Sequence, residues 1–108
     1  MTQYLQLVTT TDSEAEAKSI AGTLIERRLA ACVQILGPIE SVYRWEGTIE
    51  TAREWQCLAK TAQDLFSAAE SAIREVHSYD VPEILAFPVA AGSDSYCAWM
   101  DDQLGRES

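Results

Sequence analysis

The only histidine in the chain is His77, and it heads the segment His77-Ser78-Tyr79-Asp80-Val81-Pro82-Glu83. Any imidazole chemistry must therefore use His77. Asp80 lies three residues later and Glu83 six, in a loop that Pro82 forces into an extended approach to the next strand. One imidazole with oxygen donors nearby makes a candidate divalent-cation site. At the expected C-terminus of a helix, the same ring would serve equally as a cap for the last carbonyls. The second reactive group is Cys32, one of three cysteines with Cys57 and Cys97. A free cysteine in a strand is commonly a small buried apolar residue, and Cys57 and Cys97 are read that way. If Cys32 met His77 across the fold, a thiolate and an imidazole would suit copper or zinc better than magnesium or calcium. A Cys–His nucleophile is the competing use of that pair, but no oxyanion hole is visible beside it.

Other chemistries lack their residues. GxGxxG, P-loop and GxSxG patterns are absent, as are CxxC and HExxH, and five glycines are too sparse for a phosphate cradle. Eight Lys and Arg against 17 Asp and Glu give a formal net charge of -9, which repels a phosphate backbone and argues against nucleic acid. No apolar run approaches the roughly 18 residues of a membrane helix, and Met1-Thr2-Gln3-Tyr4 has no basic secretory n-region. An odd, scattered cysteine set points to reduced thiols and a cytoplasmic setting.

The elements that must position these groups can be read from periodicity. The 108 residues, 47% hydrophobic and 23% charged, suit one domain over 1–108 with a single core. Tyr4 to Thr10 is aromatic and β-branched and predicts a buried strand. Thr11-Asp12-Ser13-Glu14 reads as a capping box before a helix carrying Ala17, Ile20, Ala21, Leu24 and Ile25 and ending near Arg28. Ala31 to Leu36 is a second strand; Gly37-Pro38 marks a bulge, bend or edge, and Ile39 to Trp45 continues extended. Glu46-Gly47-Thr48 turns the chain into a third strand over Glu54 to Thr61.

Leu65, Ala69, Ala72, Ile73 and Val76 predict a second amphipathic helix, Glu83 to Val89 a fourth strand, and Tyr96, Trp99 and Met100 a short last helix stopped by Gly105. This order predicts an α+β, ferredoxin-like βαββαβ sandwich with helices on one sheet face, an extended hairpin between the second and third strands, and a short C-terminal helix. The hairpin should reach past so small a body. It carries Tyr43, Trp45 and Trp55, each able to bury about 150–250 Å², enough to anchor contact with another subunit.

Together these stretches resemble the CutA divalent-ion tolerance family. The matching residues are Leu29-Ala30-Ala31-Cys32-Val33, Ser41-Val42-Tyr43-Arg44-Trp45-Glu46-Gly47, Leu58-Ala59-Lys60-Thr61, His77 to Ile84, and the late Tyr96 and Trp99. The resemblance implies a non-enzymatic homotrimer, similar in shape to PII signalling proteins, with hairpins completing sheets across subunits. It implies tolerance of divalent metals, with copper or another divalent metal as ligand and no organic cofactor. Its cleft residues fall on Cys32, Lys60, His77, Tyr79 and Glu83. Of these, Cys32 and His77 would ligate metal, Glu83 would ligate or orient His77, and Lys60 and Tyr79 would line the cleft. The alternative it carries is a PII-like adaptor binding a small anionic ligand in the same cleft. Two positions depart from the family pattern. Ser78 stands where proline is common, freeing φ and adding an N–H, and Gln34 stands where asparagine is common.

Overall fold

The computed structural model describes residues 2–106. In chain order the elements are β1 (Tyr4–Thr11), α1 (Glu14–Glu26), β2 (Cys32–Trp45), β3 (Thr48–Ala62), α2 (Phe66–Val76), β4 (Ile84–Pro88) and α3 (Asp94–Gln103), with a 3-10 turn over Gln63–Leu65 leading into α2. The strands form one sheet in the order β2-β3-β1-β4. Every neighbouring pair is antiparallel. This is the predicted α+β, ferredoxin-like arrangement.

Alternation along the strands sorts side chains to two faces. Leu7, Cys57 and Ala59 turn toward α1 and α2 and form the main core with Ala17, Ile20, Leu24, Ala69, Ala72 and Ile73. The opposite face is defined by the register. One row runs Gln34, Leu58, Val8, Leu85, and the next Cys32, Lys60, Gln6, Phe87. Only the end of that second face is covered, by α3. Its Met100 and Leu104 pack with Ala31, Ala62, Tyr4 and Leu65. The last helix thus departs from the expected single helical layer, because the chain leaves β4 at the end that carries Tyr4 and Ala62.

The cap of α1 also differs from expectation. Ser13, in an extended conformation, accepts the Glu16 backbone N–H, so the capping residue lies two positions beyond Thr11. Thr11 ends β1 instead and donates its hydroxyl to the Glu16 carboxylate. The hairpin runs unbroken from Cys32↔Lys60 to Trp45↔Thr48 except for the shift between Leu36 and Ile39, where the Gly37–Pro38 peptide is cis. A Cβ on Gly37 would stand 2.5 Å from Trp55 Cδ1, so only glycine lets the strand pass the indole. At the tip Glu46 and Gly47 both have positive φ, as a tight two-residue hairpin turn requires. The arm helps give the molecule extents of 48 × 25 × 22 Å.

Candidate functional site

His77 is the C-cap of α2, and its N–H bonds the Ile73 carbonyl. Its side chain is fully buried. The backbone N–H of Tyr79 donates to Nδ1 at 3.1 Å, and Nε2 lies 2.8 Å from the Thr10 carbonyl oxygen. A carbonyl only accepts, and Nδ1 here is itself an acceptor. The ring is therefore the neutral form with its proton on Nε2. The Glu16 carboxylate is 3.6 Å from Nδ1 and also accepts the hydroxyls of Thr11 and Ser78. Burial works to raise the Glu16 pKa, but the Thr11 hydroxyl and the backbone N–H and hydroxyl of Ser78 outweigh it and hold the group below its ordinary value. Ser78, the departure from proline, is thus used as a tie between loop and helix.

Tyr79 leans its ring on His77, with centroids 4.8 Å apart, and donates its hydroxyl to Glu54 at 2.8 Å. Burial, the bond to Glu54, and the charges of Glu54, Asp12 and Tyr43 all push the phenol up, so it stays a donor. Glu54 is only 6% exposed although it sits on β3 near the hairpin base. Burial and the Glu54 charge likewise raise Glu83. Sequence spacing does not reveal Glu54, because Tyr79 reaches it past the end of β1. Glu16 was hidden for a similar reason: it reads as an ordinary polar position on a helix.

Cys32 lies elsewhere. It pairs with Lys60, whereas Thr10, which anchors His77, pairs with Gln56. Four residues along the strands and two strands across place the Cys32 backbone roughly 17 Å from that of Thr10. The chain therefore brings His77 and Tyr79, with Glu83 at the start of β4, to one end of the sheet and Cys32 with Lys60 to the other. Among the described residues no group of three or more His, Cys, Asp or Glu side chains could hold a metal ion. Cys32 stands beside Tyr96 of α3, whose phenol is pushed up by burial and by the thiol. Lys60 donates to Gln34 at 2.7 Å, so the second departure also has a partner. Burial raises the Cys57 thiol to about 11, consistent with its reading as a packing residue.

The three hairpin aromatics divide. Tyr43 and Trp45 are exposed on the arm, while Trp55 turns inward, packs on the main core and carries the Arg53 guanidinium 5.7 Å from its ring centroid. The larger exposed apolar surface is the uncovered sheet face with its α3 margin, where Leu36, Leu85, Phe87, Tyr96 and Trp99 are each at least 40% exposed. One family model, described as CutA1 divalent ion tolerance protein, matches the chain over residues 5–103. The chain belongs to the CutA1 family. The chloroplastic CutA protein of Arabidopsis thaliana is 41% identical over 93 residues, which are 86% of this chain and 50% of that protein. The chain thus spans about half the length of that relative. The crystal structure of CutA1 from Oryza sativa superposes with a TM-score of 0.92 at 37% identity, covering 98% of this chain and 96% of the other. The periplasmic divalent cation tolerance protein CutA from Archaeoglobus fulgidus gives a TM-score of 0.89 at 36% identity, covering 96% and 99%. CutA relatives therefore occupy more than one compartment. Among the described residues of this chain, no helix is long and apolar enough to cross a membrane.

Proposed function

We propose that this CutA1 chain is a non-enzymatic, cytoplasmic homotrimer that takes up a divalent metal, copper first, and contributes to metal-ion tolerance. The observation that carries the reading is the uncovered sheet face. Leu85 and Phe87 are each 53% exposed there, in the rows that contain Leu58 and Cys32. Exposed apolar side chains gathered on one face in this way mark an interaction site. Packing it on another copy buries it and carries Cys32 and Lys60 of one subunit toward the His77 loop of the next. A cation would then be held by His77 and Cys32 from different copies, with Glu83 as ligand or orienting carboxylate and Tyr79 lining the cleft. Tyr43 and Trp45 on the arm add contact area, and the half-buried Trp55 braces the base of the arm. Imidazole and thiolate together select copper or zinc.

Competitive titration of the reduced protein with copper and zinc tests this, beside His77→Ala and Cys32→Ala. Either change should weaken a saturable site at least about tenfold, or 1.4 kcal/mol. Weak, unsaturable binding unchanged by both would mean that the acidic surface collects cations. One observation favours the adaptor reading: among the described residues Lys60 has a neutral partner, Gln34, and no carboxylate. A small anionic ligand in the same cleft would complete it. Such a ligand at 100 times its dissociation constant would stabilise the protein by about 2.7 kcal/mol.

A further inference from the structure

Alternation along β3 puts Lys60 on the same face as Glu54, Gln56 and Leu58, and its row ends at Phe87 of β4. Among the described strand residues of that open face, Lys60 is the one cationic side chain. Its ammonium donates to Gln34 and, among the described residues, meets no carboxylate. The other end of the face has the reverse imbalance. Glu54 is almost wholly buried and accepts the Tyr79 hydroxyl, and Glu83 stands at the start of β4, where burial and the Glu54 charge push its carboxyl up. Among the described residues neither carboxylate meets a lysine, arginine or histidine. Carboxylates drawn out of water without a cation are costly. The chain cannot correct this alone. Lys60 stands about 20 Å from Glu54 along β3, and roughly 17 Å from Glu83 across the sheet.

We propose that Lys60 of one copy pairs with Glu83 of a second copy, so that the Lys60 end of the open face seats on the carboxylate end of its neighbour. The inference rests on the reading above that this face packs on another copy, and it uses no metal. A face that carries both halves of an ion pair at opposite ends is complementary to a further copy of itself. Each copy then offers one end and receives the other, the head-to-tail contact that a cyclic homotrimer requires. Leu85 and Phe87 lie along β4 between the two ends and supply apolar area beside the pair. With a formal charge of -9 on each copy, association otherwise brings like charges together, and Lys60 is the cation the face can set against them. Glu83 is the partner because it is exposed, whereas Glu54 is shut behind Tyr79 and adds its charge from there.

The test uses the full-length reduced protein, its Lys60→Glu and Glu83→Lys variants, and the double charge swap, each followed by light scattering over a dilution series. Each single reversal sets like charges together, so the assembly should come apart at a concentration at least about tenfold higher than wild type. The double swap restores opposite charges and should return to within about threefold of wild type. Lys60→Met and Glu83→Gln guard against a reversal that spoils folding. Their effects on association should be non-additive, while their effects on urea unfolding of the monomer should add, because the two sites are far apart within one chain. Single reversals that assemble as wild type does, a double swap no better than the weaker single, or additive effects on association would each overturn the pair. In those cases an assembled wild type keeps the reading of the open face. A wild type that is monomeric at every concentration would overturn both.

Discussion

At the His77 end of the sheet polar groups are buried and partnered; at the Cys32 end the neighbouring surface is apolar and open. His77, Glu16, Thr11, Ser78, Tyr79 and Glu54 form a continuous chain of hydrogen bonds and close contacts. Beside Cys32 lies exposed Tyr96, and exposed Phe87 ends the same row across the sheet. The first region is finished within the chain, and its side chains hold a loop in place. The second is unfinished, and its surface gains most by meeting another molecule. Substitutions should therefore act on folding at one end and on association at the other.

The largest effect is expected from Phe87→Asp, which places a charge on the β4 margin of the open face. Light scattering should report the wild type as an assembly and the variant as a monomer; an assembly that survives would move the interface elsewhere. His77→Ala comes next. It leaves the Thr10 carbonyl and Tyr79 N–H unpaired and opens a buried gap, and should cost about 3 kcal/mol in urea unfolding at fixed protein concentration. A loss under about 1 kcal/mol would mean that the imidazole does not hold the loop.

Glu16→Gln should cost about 1 kcal/mol near neutral pH. Its pH signature is more telling. The Glu16 pKa is held below its ordinary 4.5, so the stability it contributes is present above that value and lost as pH falls through the folded one. The variant should flatten the acid limb of the stability curve, and an unchanged slope would count against the carboxylate's place in the network. The smallest effect is expected for Cys32→Ser, whose stability should stay within about 0.5 kcal/mol of wild type. A larger loss in the unassembled protein would show that Cys32 matters to packing, and would erase the contrast between the two ends.

Strands, helices and the turn at Gly47 were legible because alternation, helical spacing and positive φ leave local marks. The β3 strand proved longer than expected, since Thr48 to Arg53 pair along the arm with little burial to give them a pattern. Two other misjudgements share one cause. Nothing local says that Ser13 rather than Thr11 caps α1, because the choice depends on where β1 stops pairing with β3. Nothing local says that α3 crosses to the other face, because that depends on where β4 ends. In the candidate site, His77 and Tyr79 stand close in sequence and lie ring against ring, and the Glu54 charge reaches Glu83. Glu54 and Glu16 join them through contacts 25 and 61 residues apart (Tyr79 to Glu54, His77 to Glu16), which no motif records.

The two margins of the sheet determine what kind of object repeated association could build. β2 and β4 are its outermost strands, so each has a free run of backbone donors and acceptors. Left plain, such margins invite endless edge-to-edge growth. Here β2 is broken by Pro38 and the bulge between Leu36 and Ile39, and β4 is five residues long and closes on Pro88, which has no N–H to offer. Neither border can template a long uninterrupted ladder. The prolines thus disfavour open-ended edge-to-edge fibres.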